Sequence, residues 1–203
     1  MLLLKNGRVI DPGRNLDAIS DILIDGENIL RIRTNLQQAG AKSLDVAGLI
    51  IAPGFVDLHV HFREPGKEQA ETIASGSKAA AAGGFTTVAC MPNTQPANDS
   101  VTTTEFILQK AKEASIEVLP IAAVTMNQAG EELVQFETLV KAGAVAFSDD
   151  GKPVANSELM RKALEICGEL HVPVIDHCED PALAQGGVIN EGAISSTLKV
   201  RGM

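Results

Sequence analysis

Four histidines occur in the 203 residues, and two of them stand two positions apart in Asp57-Leu58-His59-Val60-His61-Phe62-Arg63. Side chains on a strand alternate with a period of two, so His59 and His61 point to the same side, and two imidazoles on one face make half of a metal site. Such a pair is equally readable as polar residues at a loop edge. Two further apolar runs end in a carboxylate or an imidazole: Phe147-Ser148-Asp149-Asp150-Gly151 and Val174-Ile175-Asp176-His177-Cys178-Glu179. Taken singly, Asp-Asp-Gly reads as an Asx turn and His177 as a structural histidine. Taken with the His pair, they offer the nitrogen and oxygen ligands that zinc accepts in sites with open positions. Cys90-Met91-Pro92-Asn93-Thr94 adds an amide that donates and accepts, and Arg63 a guanidinium fork matched to a carboxylate. In a chain of net charge -9, a cation kept beside a metal site points to an anionic substrate; pairing of Arg63 with Glu64 or Glu71 is the plainer alternative. His171, just before Val172-Pro173 at a helix end, reads as structural.

These residues need a scaffold that gathers strand ends. From residue 50 onward, apolar runs at 54–61, 85–91, 116–124, 144–147 and 172–177 predict strands buried on both faces. Between them, apolar residues at helical spacing predict helices over 71–82, 103–114, 131–142 and 158–170, with Asn98-Asp99-Ser100 and Asn156-Ser157 as caps. Gly83-Gly84 and Gly143 stand where left-handed helix ends are expected. Regular βα alternation implies a parallel sheet, open and doubly wound or closed as a barrel. No glycine fingerprint of the dinucleotide or P-loop kind follows a strand, which weakens the open alternative. The first fifty residues differ: runs at 2–10 and 21–32, punctuated by Asn6-Gly7 and Asp25-Gly26, predict hairpins, and a run at 43–51 ends at Pro53-Gly54. The expected division is therefore a small β unit over 1–50 and an α/β unit over 51–203.

Composition narrows the partners. Lys plus Arg number 17 against 26 Asp plus Glu, the wrong balance for a phosphate-backbone binder, so nucleic acid is not expected. The chain has no run of eighteen apolar residues and no signal-like N-terminus, so a soluble, cytoplasmic protein without membrane association is expected. Cys90, Cys167 and Cys178 are odd in number and irregularly spaced, which argues for apolar filler over disulfides or thiolate zinc sites. Trp and Tyr are absent, leaving little for a base-stacking surface.

Pro53-Gly54-Phe55-Val56-Asp57-Leu58-His59-Val60-His61 resembles the opening of the amidohydrolase superfamily, and Phe62-Arg63-Glu64-Pro65-Gly66 extends the likeness to class I, bacterial-type dihydroorotases. Residues 79–87, Met91-Pro92-Asn93-Thr94, Phe147-Ser148-Asp149-Asp150-Gly151 and His177-Cys178-Glu179 agree with that family in the same order. The resemblance implies a (β/α)8 TIM-type barrel of the metal-dependent hydrolase kind with a small composite β-sandwich. It implies two Zn2+ per subunit and interconversion of L-dihydroorotate and N-carbamoyl-L-aspartate in pyrimidine biosynthesis. On it, His59 and His61 would hold the first zinc, Asp150 would bridge both and His177 would serve the second; His61, Arg63 and Asn93 would bind the substrate carboxylate. Hydantoinase-like relatives bridge with a carboxylated lysine, whereas Lys141 and Lys152 flank the strand end here. A complete barrel takes about 250 residues. The resemblance therefore implies a fold truncated after about five barrel strands, with the family's last zinc histidine and its acid/base Asp beyond Met203. No catalytic residue would then fall in this chain, and no turnover is expected from it alone. A homodimer or a complex with aspartate transcarbamoylase are the assemblies implied. The competing readings are a non-catalytic subunit supporting that transcarbamoylase and a cyclic amidohydrolase of hydantoinase or allantoinase type.

Overall fold

Alternating apolar residues in the first unit, Met1–Gly54, build a five-stranded sheet. Strand β1 (Leu2–Asp11) pairs antiparallel with β2 (Leu16–Asp25), and β2 with β3 (Asn28–Arg33). Strands β4 (Lys42–Asp45) and β5 (Ile50–Ile51) lie parallel to β1. Asp25-Gly26 makes the expected hairpin turn between β2 and β3, with Gly26 at φ +56°. Asn6-Gly7 does not turn the chain. It is a bulge inside β1, where the register shifts between Leu4 and Gly7 and Asn6 takes φ +66°. The Asp21 carboxylate holds the bulge by accepting from Asn6 N and Leu36 N, both at 2.8 Å.

The computed structural model describes residues 1–184 and 186–203, and the rest of them form the second unit, Phe55–Met203. Its elements are β6 (Phe55–Val60), α1 (Ile73–Ala82), β7 (Phe85–Cys90), α2 (Val101–Ala111), β8 (Glu117–Ala122), α3 (Phe136–Ala142), β9 (Ala146–Phe147), α4 (Ser157–Glu169), α5 (Pro181–Ala184) and α6 (Ala193–Leu198). Strands β6 to β9 are parallel and lie in strict sequence order. A doubly wound sheet reverses its strand order at a switch point, whereas a barrel adds each strand to the same side of the last. The order seen here is that of a barrel.

Period-two alternation divides the strand residues between two layers. Val88 and Cys90 of β7 pack with Phe62, Ile73, Ile107 and Val118 on the helix side. Ala89 and Met91 point the other way, against Ile121 and Ala146. Helix starts are capped as their sequences demand: Thr72 accepts from Ser75 N at 3.0 Å, Ser100 from Thr103 N at 3.3 Å, and Asn156 from the amides of Glu158 and Leu159. No helix among the described residues is long and apolar enough to cross a membrane.

Several expectations need correction. The strand expected over 172–177 is a single bridge, Phe147 to Val174, closed by Phe147 N to Pro173 O and Ile175 N to Phe147 O. Pro173 has no N–H to extend the ladder, and β9 itself is two residues long. The helix expected over 131–142 begins only at Phe136. Before it, the chain pairs with itself through Met126 N to Glu132 O and Val134 N to Val124 O, which takes up the Glu132 carbonyl and the Val134 N–H that a helix would use. Val60 packs on the helix side as expected, but Leu58 is 64% exposed, because β6 has β7 as its one strand neighbour among the described residues. Cys90 and Cys167 are buried filler; Cys178 is exposed.

Candidate metal centre

The strand register brings the site residues together. Val60 of β6 pairs with Cys90 of β7, and Met91 N donates to Val60 O at 2.9 Å, so His61 emerges beside the Pro92-Asn93 turn. His59 Nε2 lies 3.2 Å from Asp150 Oδ1 and His61 Nε2 lies 3.4 Å from Asp150 Oδ2. One carboxylate thus faces two imidazoles, and the three candidate ligand atoms lie within 4.8 Å of one another. Donors about 2.0–2.1 Å from a tetrahedral zinc are about 3.3 Å apart. The two His–Asp separations, one to each carboxylate oxygen, are close to that edge, and the two-nitrogen, one-oxygen donor set suits the same ion. Asp150 is 9% exposed while the His59 side chain is 48% exposed, so the carboxylate forms the floor and the imidazoles the open side.

Asp150 is held from several directions. Its backbone N donates to Ser148 Oγ at 3.0 Å, and its carbonyl accepts from Gln128 Nε2 at 3.3 Å. Asn93 Nδ2 donates to its Oδ2 at 3.0 Å, while Asn93 Oδ1 meets His61 Nδ1 at 2.9 Å. Asp149 turns away. Its carboxylate is buried and accepts from Val124 N at 2.8 Å, from Thr125 N at 3.1 Å and from the Thr125 hydroxyl. Burial pushes the Asp149 carboxyl above its usual range, opposed by those hydrogen bonds. Adjacent aspartates therefore have opposite tasks, one open to the site and one fastening the end of β8 to the loop.

His177 lies at the rim, outside the tight triangle. Its Nδ1 is 3.9 Å from Asp150 Oδ1, and its Nε2 meets Glu179 Oε2 at 3.1 Å. A cavity of about 340 Å³, lined by His177, Glu179, Asp180, Leu183 and Asn190, adjoins it. Arg63 is half-buried, and among the described residues no carboxylate lies within 4 Å of its guanidinium. The pairing with Glu64 or Glu71 is not made. Glu64 instead accepts from Ile73 N at 3.0 Å and pairs with Lys110 at 3.4 Å, and Glu71 accepts from the Ser75 hydroxyl. Lys152 Nζ donates to Gln128 O at 3.3 Å, and Lys141 pairs with Glu137, so neither lysine reaches Asp150. Sequence reasoning missed Gln128, Thr125 and Glu64. Asn127 and Gln128 both take left-handed φ, +53° and +52°, and Asn127 and Gly130, at φ +72°, were the local signals that this loop turns sharply.

A family model described as dihydro-orotase-like matches residues 48–203. The chain belongs to that dihydroorotase-like family. It is similar to the dihydroorotase of Solibacter usitatus, at 49% identity over 203 residues, and to that of Syntrophus aciditrophicus, at 52% over 205. These alignments cover 100% of this chain but 47% and 48% of the relatives, so the chain spans about half the length of the curated relatives it matches. Among solved structures, L-hydantoinase (dihydropyrimidinase) from Arthrobacter aurescens matches with TM-score 0.75 and 20% identity, over 91% of this chain and 42% of that one. A dihydroorotase crystal structure matches with TM-score 0.60 and 17% identity, over 100% of this chain and 55% of its own. At such identities the likeness shows the fold alone: a parallel βα barrel, represented here by β6 to β9 and the bridge at Val174.

Proposed function

We propose that this chain carries the metal-holding and substrate-anchoring part of a dihydroorotase, which interconverts L-dihydroorotate and N-carbamoyl-L-aspartate in cytoplasmic pyrimidine synthesis. The observation that carries the reading is the triangle of His59, His61 and Asp150, with Arg63, two residues after His61, having no carboxylate within 4 Å among the described residues. On this reading residues 1–50 are the N-terminal part of a small β-sandwich and 51–203 the first units of the barrel. His59, His61 and Asp150 would hold one zinc, with Asp150 and His177 serving a second. The chemistry such cations supply when bound is activation of water near neutral pH and polarisation of the amide carbonyl. Arg63 receives the substrate carboxylate as a two-point fork and so orients the ring, with His61 and Asn93 beside it. The hydantoinase-like alternative has less support: the identity to dihydroorotases is 49–52%, and Lys152 is occupied at Gln128.

The test is complementation. The chain is co-produced with the C-terminal half of the Solibacter usitatus dihydroorotase, loaded with zinc and assayed on dihydroorotate and hydantoin. Hydrolysis of dihydroorotate is expected, and Arg63→Met should lower kcat/KM about 10- to 100-fold, since a hydrogen bond to a charged group contributes about 1.5–3 kcal/mol. Preference for hydantoin would establish the cyclic amidohydrolase alternative instead. A zinc-loaded complex with no turnover would favour the non-catalytic subunit.

A further inference from the structure

Three side chains meet through Asn93, and the meeting fixes where one proton must sit. A carboxylate only accepts hydrogen bonds, so the amide nitrogen of Asn93 faces Asp150: Oδ2 at 3.0 Å and the backbone carbonyl at 3.5 Å. The amide oxygen therefore faces His61 Nδ1, 2.9 Å away. An amide oxygen cannot donate. The proton in that contact belongs to Nδ1, and in a neutral imidazole Nε2 then carries the lone pair. In that neutral form the lone pair lies 3.4 Å from Asp150 Oδ2, two acceptors facing each other. Facing acceptors repel, and a cation between them reverses the sign.

We propose that Asn93 is a positioning residue of the metal centre: it fixes the Nδ1–H tautomer of His61 and the rotation of the Asp150 carboxylate, so that both present lone pairs to one point. The inference rests on the metal reading above. It gives Asn93 a task separate from contact with a substrate carboxylate, because both ends of its amide are engaged inside the protein. The loop that carries Asn93 is itself fastened. Asn98 N donates to Pro92 O at 3.0 Å and Gln95 N to Pro65 O at 2.9 Å. The Asn98 side chain, fully buried, donates to Ile121 O and accepts from Thr104 Oγ1, both at 2.8 Å, which ties the loop to β8. Partners that orient a metal-bound histidine contribute about 10- to 100-fold to metal affinity.

The test uses the metal-free 203-residue chain, labelled with 15N, at a pH about 1.5 units above the ordinary imidazole value. Long-range 1H–15N correlation of the ring nitrogens should show His61 protonated on Nδ1. Asn93→Ala should move the proton toward Nε2. In a chelator competition, Asn93→Ala should bind Zn2+ about 10- to 100-fold more weakly than the unaltered chain. An Nε2–H tautomer in the unaltered chain overturns the proposal, as does a tautomer indifferent to Asn93→Ala. Should Asn93→Ala fail to fold by circular dichroism, the tautomer of the unaltered chain decides by itself. An unaltered chain that binds no zinc, yet shows the expected tautomers, sinks the metal reading and leaves the hold of Asn93 on His61 standing.

Discussion

Gly76 sits in the interior of α1, where alanine is ordinarily better by about 1 kcal/mol. Here the opposite sign is expected. A Cβ on Gly76 would lie 2.2 Å from Cε1 and 2.5 Å from Cδ1 of Phe62. Carbon atoms rest about 3.5–4.0 Å apart, so the ring would have to retreat by more than about 1 Å. Phe62 is 6% exposed and packed among Ile73, Val88, Cys90, Ile107 and Val118, which leaves it little room. Overpacking of this kind costs about 1–3 kcal/mol, occasionally more. Set against the helix gain of about 1 kcal/mol, Gly76→Ala should destabilise by up to about 2 kcal/mol.

Phe62 stands between His61 and Arg63, so the displaced ring moves the backbone that carries both. Zinc affinity should fall together with stability. The chain has neither Trp nor Tyr, so urea unfolding is best followed by far-UV circular dichroism. The double variant Gly76→Ala with Phe62→Leu separates the causes: removing the ring should make the Gly76→Ala step less unfavourable by at least about 1 kcal/mol. A Gly76→Ala protein stabilised by about 1 kcal/mol, as propensity alone requires, would show that the notch for Phe62 does not exist in solution.

Asp149→Ala should cost about 3 kcal/mol or more, because it strands the amides of Val124 and Thr125 and the Thr125 hydroxyl; Asp149→Asn, which keeps an acceptor, should cost less in the same urea titration. Iodoacetamide at mildly alkaline pH should modify Cys178 alone in the folded chain, as read by mass spectrometry, since burial pushes Cys90 up to about 12 and Cys167 up to about 11. Labelling should reach all three cysteines in urea. Thr72→Ala removes a cap that accepts from Ser75 N and should lower stability by about 1 kcal/mol by the same measurement.

Much of the barrel unit was legible because its strands are continuous apolar runs and α1, α2 and α4 are capped by Thr72, Ser100 and Asn156. Signals failed where two structures share one local requirement. Asn6-Gly7 reads as a turn because both residues tolerate left-handed φ, and a bulge asks for the same tolerance. The 131–135 segment has helical spacing, but its backbone is claimed by the Thr125 to Leu133 bridge, a contact that no local pattern records. The 172–177 run has strand composition, yet pairing depends on what lies beside it, and Pro173 removes a donor. At the site, the two-residue spacing placed His59 and His61 together. Choosing between Asp149 and Asp150 needed the resemblance, because alternation says that the two diverge without saying which faces the histidines.

That divergence recurs around the site. Three loops bearing a candidate site residue also carry a buried polar neighbour turned inward as a fastener: Glu64 beside Arg63, Asn98 in the loop of Asn93, and Asp149 beside Asp150. The physical logic is that loop ends carry unpaired backbone donors and acceptors, and an inward side chain that satisfies them leaves its neighbour free to face a ligand. The two classes should respond oppositely to substitution. Arg63 makes no side-chain ion pair among the described residues, so Arg63→Met should leave stability within about 0.5 kcal/mol of the unaltered chain while removing its contribution to carboxylate binding. Glu64→Ala leaves Ile73 N, a buried donor at the start of α1, without its acceptor and Lys110 without its partner, and should cost about 1–3 kcal/mol. Urea unfolding of the two variants side by side decides the matter: equal losses would mean that Arg63 is held by the protein as firmly as Glu64 and is not kept free for a substrate.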